Sequence, residues 1–439
     1  MVVETDAPPE APAAPPTRTL PAGVGVAWSA IWSSRLVVMA AGVLGVLAIG
    51  NNPGYDQAYD YNGLLKPFGY FGNLLVSPLA RWDSSWYLTI AQYGYGHGGQ
   101  ATAPRTTFFP LYPLLTRGLG VVIQSDLIAG VLISLVCFAI ALVVLYRLVA
   151  LELDSERARI CVMLIAFCPM AYYFSAVYTE SLFLALSVGC IYAARKGRWL
   201  EAGVFGALAS ATRNTGPMLA VPIVLLYLYG PRGDRSTPTL RRTGLARLLP
   251  VHPIRPSLAW VLLVPVGMAG YLLFLGLSTG HAFTPFNSEQ IWFHHFAGPF
   301  GGVWDGAVAA WDGLRQLLHG PAPPVYFKLA GGDPLQVAGQ NLMLFGFLVL
   351  GVIAFVGVLR RLPLAYGLYA LAALAVPLSY PVIPQPLDSL PRYEVVVFPL
   401  FMWGADWVQR RRIEPQVLAC LGVLLGLFTA EFATWRFVS

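Results

Sequence analysis

The chain has 439 residues, of which 56% are hydrophobic and only 11% charged, and its mean hydropathy is +0.62. A soluble domain carries about a quarter charged residues, so these figures exclude one and indicate a polytopic membrane protein. The formal charge of +6 does not point to nucleic acid, because the arginines cluster in short loops between apolar segments, where they set orientation.

Residues 1–23 are rich in Pro and Ala, hold acids but no early basic cluster, and cannot bury a core; they read as a disordered cytoplasmic tail without the charged start of a signal peptide. Residues 24–439 read as one all-α transmembrane domain. A span that crosses alone needs about 20 apolar residues, although helices buried among others can be shorter. Eleven segments qualify: Ala27–Ile49, Val121–Leu148, Ile160–Phe174, Ser181–Ala194, Leu200–Ala211, Pro217–Tyr229, Leu258–Leu277, Val337–Val358, Pro363–Tyr380, Val395–Val408 and Pro415–Thr429. Two long loops, 50–120 and 279–336, alternate apolar residues with Trp and Tyr, as amphipathic helices lying in the membrane interface do.

Orientation follows from the basic residues. With the amino terminus inside, most of the 28 Lys and Arg fall in inner loops or at inner helix edges, Arg35 among them, and loop 230–257 is an inner basic connector. The same map puts Asp83, Tyr178-Thr179-Glu180, Arg213-Asn214 and Arg392-Tyr393 at the outer face. Only three basic residues are lysine (Lys66, Lys196, Lys328), and Ala, Gly, Pro and Arg abound, a composition that fits a GC-rich bacterial genome and hence a bacterial cell membrane. All five cysteines (Cys137, Cys161, Cys168, Cys190, Cys420) sit in apolar runs and read as small core residues.

The chemistry concentrates in a few polar positions. Asp83 lies among the rings of Arg81-Trp82-Asp83-Ser84-Ser85-Trp86-Tyr87, where it would either cap a helix before Ser84 or act as a base in a site from which Trp82 and Trp86 exclude water. Glu180, in Ser175-Ala176-Val177-Tyr178-Thr179-Glu180-Ser181, would either cap the following helix or hydrogen-bond a substrate. Arg213 and Arg392 lie near the bilayer without an acidic neighbour in sequence; a guanidinium there either binds an anion such as phosphate or snorkels to lipid head groups. Asp56 and Asp60 with Asp83 could hold a divalent cation, but neither their spacing nor the adjacent His294 and His295 supports a metal site. No Walker, Rossmann or HExxH motif appears, which argues against direct use of ATP or NAD.

The Arg81–Tyr95 block, with its Ile90-Ala91-Gln92-Tyr93-Gly94-Tyr95 ending, resembles the first lumenal loop of the PIG-V family of lipid-phosphate-dependent mannosyltransferases. Phe108-Phe109-Pro110-Leu111-Tyr112-Pro113, the 175–181 segment and Ser389-Leu390-Pro391-Arg392-Tyr393 are similar to further motifs of that family. So is Arg213-Asn214-Thr215-Gly216, which departs from it in placing Thr215 before the glycine. The resemblance implies an inverting membrane glycosyltransferase of GT-C type, with a polyprenyl-phosphate-linked mannose as donor and a glycan, lipid or protein acceptor at the outer face. No cofactor beyond that lipid-linked substrate is implied. By the same resemblance Asp83 is catalytic, and Arg81, Trp82, Trp86, Tyr178, Glu180, Arg213, Asn214, Arg392 and Tyr393 bind substrate. A phosphate leaving group needs charge stabilisation and no general acid, so one base suffices. The rival readings are a transporter or flippase of lipid-linked sugars and a non-catalytic partner subunit of the same fold. A transporter would carry polar or broken segments near mid-membrane, whereas here the helix centres are apolar and the charges stand at one rim.

Overall fold

The structure, a computed structural model, describes residues 22–60, 62–96, 103–235, 249–321, 333–383 and 385–436. The expected tail, up to residue 21, lies outside the described residues. Among those described the fold is entirely helical, with isolated bridges and no strand.

Helix α1 (Val24–Ala48) turns Ala27, Ala30, Ser34, Val38, Gly42 and Gly45 inward at three- and four-residue spacing, and leaves Trp28, Trp32, Leu36, Leu44 and Leu47 exposed, as a lipid-facing helix does. The first long loop folds into α2 (Pro53–Tyr59), whose first turn accepts Pro53 because the Asn52 side chain caps Gly54 N, then α3 (Tyr70–Val76) and α4 (Ser84–Tyr93). Next comes α5 (Leu111–Ile123), ended by Gln124 in the left-handed conformation, and then Ser125 caps α6 (Asp126–Glu152). This polar break cuts the expected Val121–Leu148 span, whose first residues belong to α5. Asp154 caps α7 (Ser155–Phe167), which is followed by α8 (Glu180–Arg195), α9 (Trp199–Ser210) and α10 (Ala220–Tyr229). Helix α8 is apolar and buried on nearly every side, the pattern of a central helix.

A 3₁₀ stretch, Pro256–Leu263, bends by 43° into α11 (Val266–Thr279). The second long loop forms α12 (Thr284–Ser288) and α13 (Gly301–His319). Helix α13 buries Gly302, Gly306, Ala309, Ala310 and Gly313 and exposes Trp304, Val308, Trp311 and Leu318, an amphipathic arrangement suited to the membrane interface. Its small residues permit close approach: a Cβ on Gly302 would lie 2.9 Å from the Leu378 carbonyl oxygen. The chain ends through α14 (Pro334–Arg361), α15 (Leu364–Ser379), α16 (Leu390–Glu394), α17 (Phe398–Arg411) and α18 (Glu414–Ala433).

Each of the eleven expected apolar segments has a helical counterpart. By length and composition, α1, α6, α14 and α18 can each cross a membrane alone among the described residues, and the bent 256–279 pair makes a fifth. The shorter helices pack between them, and the chain is a multi-pass membrane protein.

Arg35 corrects one expectation. It is no inner-edge cation but lies 7% exposed within α1, donating to Ala171 O and Ser175 Oγ at 2.7 Å and to Ala166 O at 3.2 Å, with its guanidinium over the Phe138 ring. Carbonyls left free at the end of α7 need donors, and Arg35 supplies them. Arg147, by contrast, reaches Ala22 O near the start of α1, at the end where the orientation map puts it.

Candidate active site

Three loops build one cavity. Leu79 O accepts from Val177 N at 3.0 Å, tying the segment before Asp83 to the 175–181 hairpin. The Tyr178 hydroxyl then bridges the two, accepting from Asp83 N and donating to Arg81 O, both at 3.1 Å. Leu111 N donates to Ala211 O at 3.0 Å, joining the Phe108–Pro113 run to the turn that carries Arg213. That turn closes only with glycine at 216, where a Cβ would fall 2.4 Å from Ser210 Cα.

The charged groups converge through Arg392, on α16. Its Nη1 donates to Asp83 Oδ2 and its Nε to Glu180 Oε1, both at 2.5 Å, and its guanidinium lies over the Tyr178 ring at 4.6 Å and near the Tyr173 ring at 5.4 Å. Arg213 Nη1 donates to the same Glu180 oxygen at 2.9 Å and stacks over Tyr393 at 4.9 Å. Glu180 thus serves two guanidinium groups through one oxygen. It is fully buried, and its Oε2 has no hydrogen-bond partner. Arg213 and Arg392 are therefore not lone cations, as the sequence suggested, but members of a charge network with Glu180 and Asp83. Asp83 occupies the residue before α4, yet its side chain makes no cap; it faces Arg392 instead.

The cavity has a volume of about 390 Å³, within the range of roughly 300–1,000 Å³ typical of small-molecule sites. Asp83, Tyr178, Arg213, Asn214, Arg392 and Tyr393 line it together with aromatic rings, Trp82 among them. Three expected substrate-binding residues do not line it: Glu180, fully buried behind Arg392 and Arg213, and Arg81 and Trp86. Arg81 is 1% exposed, and its guanidinium donates to Ala433 O at 2.8 Å, Ser77 O at 2.5 Å and Ala80 O at 3.2 Å, over the Trp435 ring. It is a structural tie, its donors taken up by backbone carbonyls. Trp86 stands one layer behind the wall, stacked 5.9 Å from Phe108 and edge-on to Trp292.

Sequence reasoning passed over Asp388, Glu289 and Trp292 and weighed His294 only as a metal ligand; all four also line the cavity. Asp388 directly precedes the Ser389–Tyr393 motif, the one signal that could have marked it. Its Oδ1 is buried without a partner, and burial, with the charge of Asp83 as a smaller contribution, raises its carboxyl to about 6. Burial likewise raises Glu289, although His294, 3.7 Å away, opposes the shift. Asp56 pairs with Lys66, and Asp60 accepts from Leu65 N at 2.8 Å, so neither joins Asp83. Among the described residues no three His, Cys, Asp or Glu side chains converge as metal ligands.

Residues 104–260 match the family described as dolichyl-phosphate-mannose-protein mannosyltransferase. That range includes Tyr178, Glu180, Arg213 and Phe108 but neither Asp83 nor Arg392. GPI alpha-1,6-mannosyltransferase 2 of Mus musculus is 32% identical over 154 residues, covering 32% of this chain and 30% of that protein. Its counterpart in Rattus norvegicus is 30% identical over 167 residues, covering 35% and 33%. The compared region thus spans about a third of these relatives' length. The apo crystal structure of the Archaeoglobus fulgidus oligosaccharyltransferase aligns with 93% of this chain and 57% of its own, at 13% identity and a TM-score of 0.43. Over the region compared, the chain is similar in sequence to these mannosyltransferases.

Proposed function

We propose that the protein transfers a mannosyl residue from a polyprenyl-phosphate-linked donor to an acceptor hydroxyl at the outer face of the cell membrane, with inversion and with Asp83 as the base. The observation that carries this reading is the single guanidinium of Arg392, shared by Asp83 and Glu180 at the wall of an aromatic cavity. The relatives' names supply the sugar and nothing more.

The chemistry follows from that arrangement. A phosphate diester entering the cavity offers Arg392 oxygens that compete with Asp83, in the planar two-pronged geometry that guanidinium favours. Glu180 holds Arg392 from the other side while its partner changes. Asp83, released from its cation, becomes a free acceptor for the proton of the attacking hydroxyl. The acceptor oxygen bonds to the anomeric carbon as the carbon–oxygen bond to phosphate breaks, the electron pair leaves with the phosphate, and the proton passes to Asp83. Negative charge grows on the phosphate during this step, so Arg392 and Arg213 stabilise the transition state more than the ground state. Attack from the face opposite the phosphate inverts the anomeric centre.

The test is incubation of the purified full chain in lipid with labelled polyprenyl-phosphate mannose and a panel of glycan, lipid and peptide acceptors. Transfer of label with inverted configuration is the expected result. Unchanged donor that instead crosses the bilayer would replace this reading with a flippase.

A further inference from the structure

Asp388 meets the backbone N–H of Ser389, yet one of its carboxylate oxygens is left without a partner. It lies between α15 and α16, where its backbone N–H donates to Gln385 O at 2.9 Å and Ser389 next to it takes a left-handed φ of 63°. Its side chain lines the same cavity as Asp83, and its Oδ1 is shut off from solvent with no donor to meet it. A buried carboxylate oxygen without a partner is costly, and no salt bridge compensates this one: Arg392 bonds to Asp83 and Glu180. A second residue of the lining carries an unsatisfied group of opposite kind, the indole Nε1 of Trp292, a donor without an acceptor. A polar ligand group that both donates and accepts satisfies such a pair, and a hydroxyl does both. The aromatic wall of Tyr59, Trp82, Phe108, Tyr173 and Trp292 suits the apolar faces of a pyranose ring.

We propose that Asp388 is a sugar-recognising residue of this cavity, its carboxylate turning to accept a hydrogen bond from a hexose hydroxyl. The proposal rests on the glycosyl-transfer reading above and deepens it. The hydroxyl belongs either to the donor sugar or to the acceptor, and the two sources are separable by experiment. The group's surroundings fit the task. The charged and titratable neighbours that act on Asp388 are His294, Asp83 and Arg392, and Tyr59 senses it in turn. Asp83 already carries the charge that balances Arg392, so a second full negative charge would repel an incoming phosphate. Burial keeps Asp388 easily protonated, with its carboxyl at about 6, and so able to bind sugar beside a phosphate with little repulsion.

The experiment compares wild type with Asp388→Asn and Asp388→Ala, each as the full chain in lipid nanodiscs. One arm measures equilibrium binding of polyprenyl-phosphate mannose, and the other measures binding of methyl α-mannoside through fluorescence of the cavity tryptophans. Loss of that hydrogen bond should weaken one arm about tenfold in both variants. The arm that weakens identifies the source of the hydroxyl. Equal affinity of all three proteins in both arms overturns the proposal, as does a wild type that binds neither probe. Donor turnover by the wild type, followed separately, shows whether the glycosyl-transfer reading stands when the proposal falls. Melting temperature distinguishes unfolding from lost recognition, since both variants remove a buried carboxyl that is ionised at pH 8 and should melt no lower than wild type there.

Discussion

Glu180 and Arg392, 212 residues apart in the chain, meet at 2.5 Å, and through that contact the first residue of α8 holds the cation that also holds Asp83. A buried pair of this kind is broken only at a cost. It fixes Arg392 in place while leaving its other edge free to exchange Asp83 for phosphate.

Replacing the base tests the first half of that exchange. Asp83→Asn keeps shape and the ability to accept from Arg392, so folding and donor affinity should persist. Turnover should fall by about a hundredfold or more, the usual effect of removing a positioned base. Single-turnover product formation with labelled donor measures it, and wild-type turnover in the variant would exclude Asp83 as the base.

Changing the cation tests the second half. Arg392→Lys retains charge but cannot reach Asp83 and Glu180 in one plane, so transfer should slow and donor affinity drop. Arg392→Ala should do worse in both, and leaving Glu180 with Arg213 as its one cation should also destabilise the fold by about 3–5 kcal/mol. If Arg392 only served lipid head groups, donor-dependent rates would match wild type in both variants. The phosphate role would then pass to Arg213.

Arg81 should behave as a tie. Arg81→Ala strands the carbonyl of Ala433 in a buried setting, at about 1–3 kcal/mol for the unsatisfied group, while Ser77 O keeps the Ala80 N–H. The melting temperature should fall, and any loss of activity should follow the folded fraction. A selective rise in donor KM, with the melting temperature unchanged, would return Arg81 to the binding site.

The raised carboxyl of Asp388 makes stability depend on pH in a stated direction. Folded protein binds its proton up to about pH 6, whereas an ordinary aspartate at 3.8 releases it earlier. The folded state therefore holds more protons between those values, and the contribution of this group to stability declines as pH rises through that window. Asp388→Asn abolishes the titration, so the variant should melt above wild type at pH 8 and level with it at pH 4. Parallel melting curves at both pH values would contradict the assignment.

Orientation can be checked by cysteine labelling in intact cells. A cysteine at Phe296, an exposed residue between α12 and α13, should react with an impermeant reagent, while one at Gly233 beyond α10 should not. Labelling at Gly233 from outside would invert the map.

The helices were legible because apolar runs in a membrane chain have little choice but to become them, but the central place of α8 showed only in the packing. The groups at the outer rim were legible as separate motifs. Their connections were not: that Arg213 and Arg392 share one oxygen of Glu180 depends on how α8, α16 and the 211–216 turn pack, and no local pattern encodes it. Arg35 was misplaced for a related reason. A single arginine near the start of a span looks like an inner anchor until the carbonyls at the end of α7 arrive beside it. Asp388 escaped attention because its meaning lies in a missing partner, which only packing reveals.

The tie from Arg81 to Ala433 reaches further than its own stability. Asn52 N also donates to Thr434 O at 3.0 Å, and Trp435 fills the space between Tyr59 and Trp82. The last turn of α18 is thus a keystone beneath the loop that presents Asp83, and that loop can close only with the final helix in place. A lesion or fusion at residues 433–435 should accordingly disarm a centre more than three hundred positions upstream.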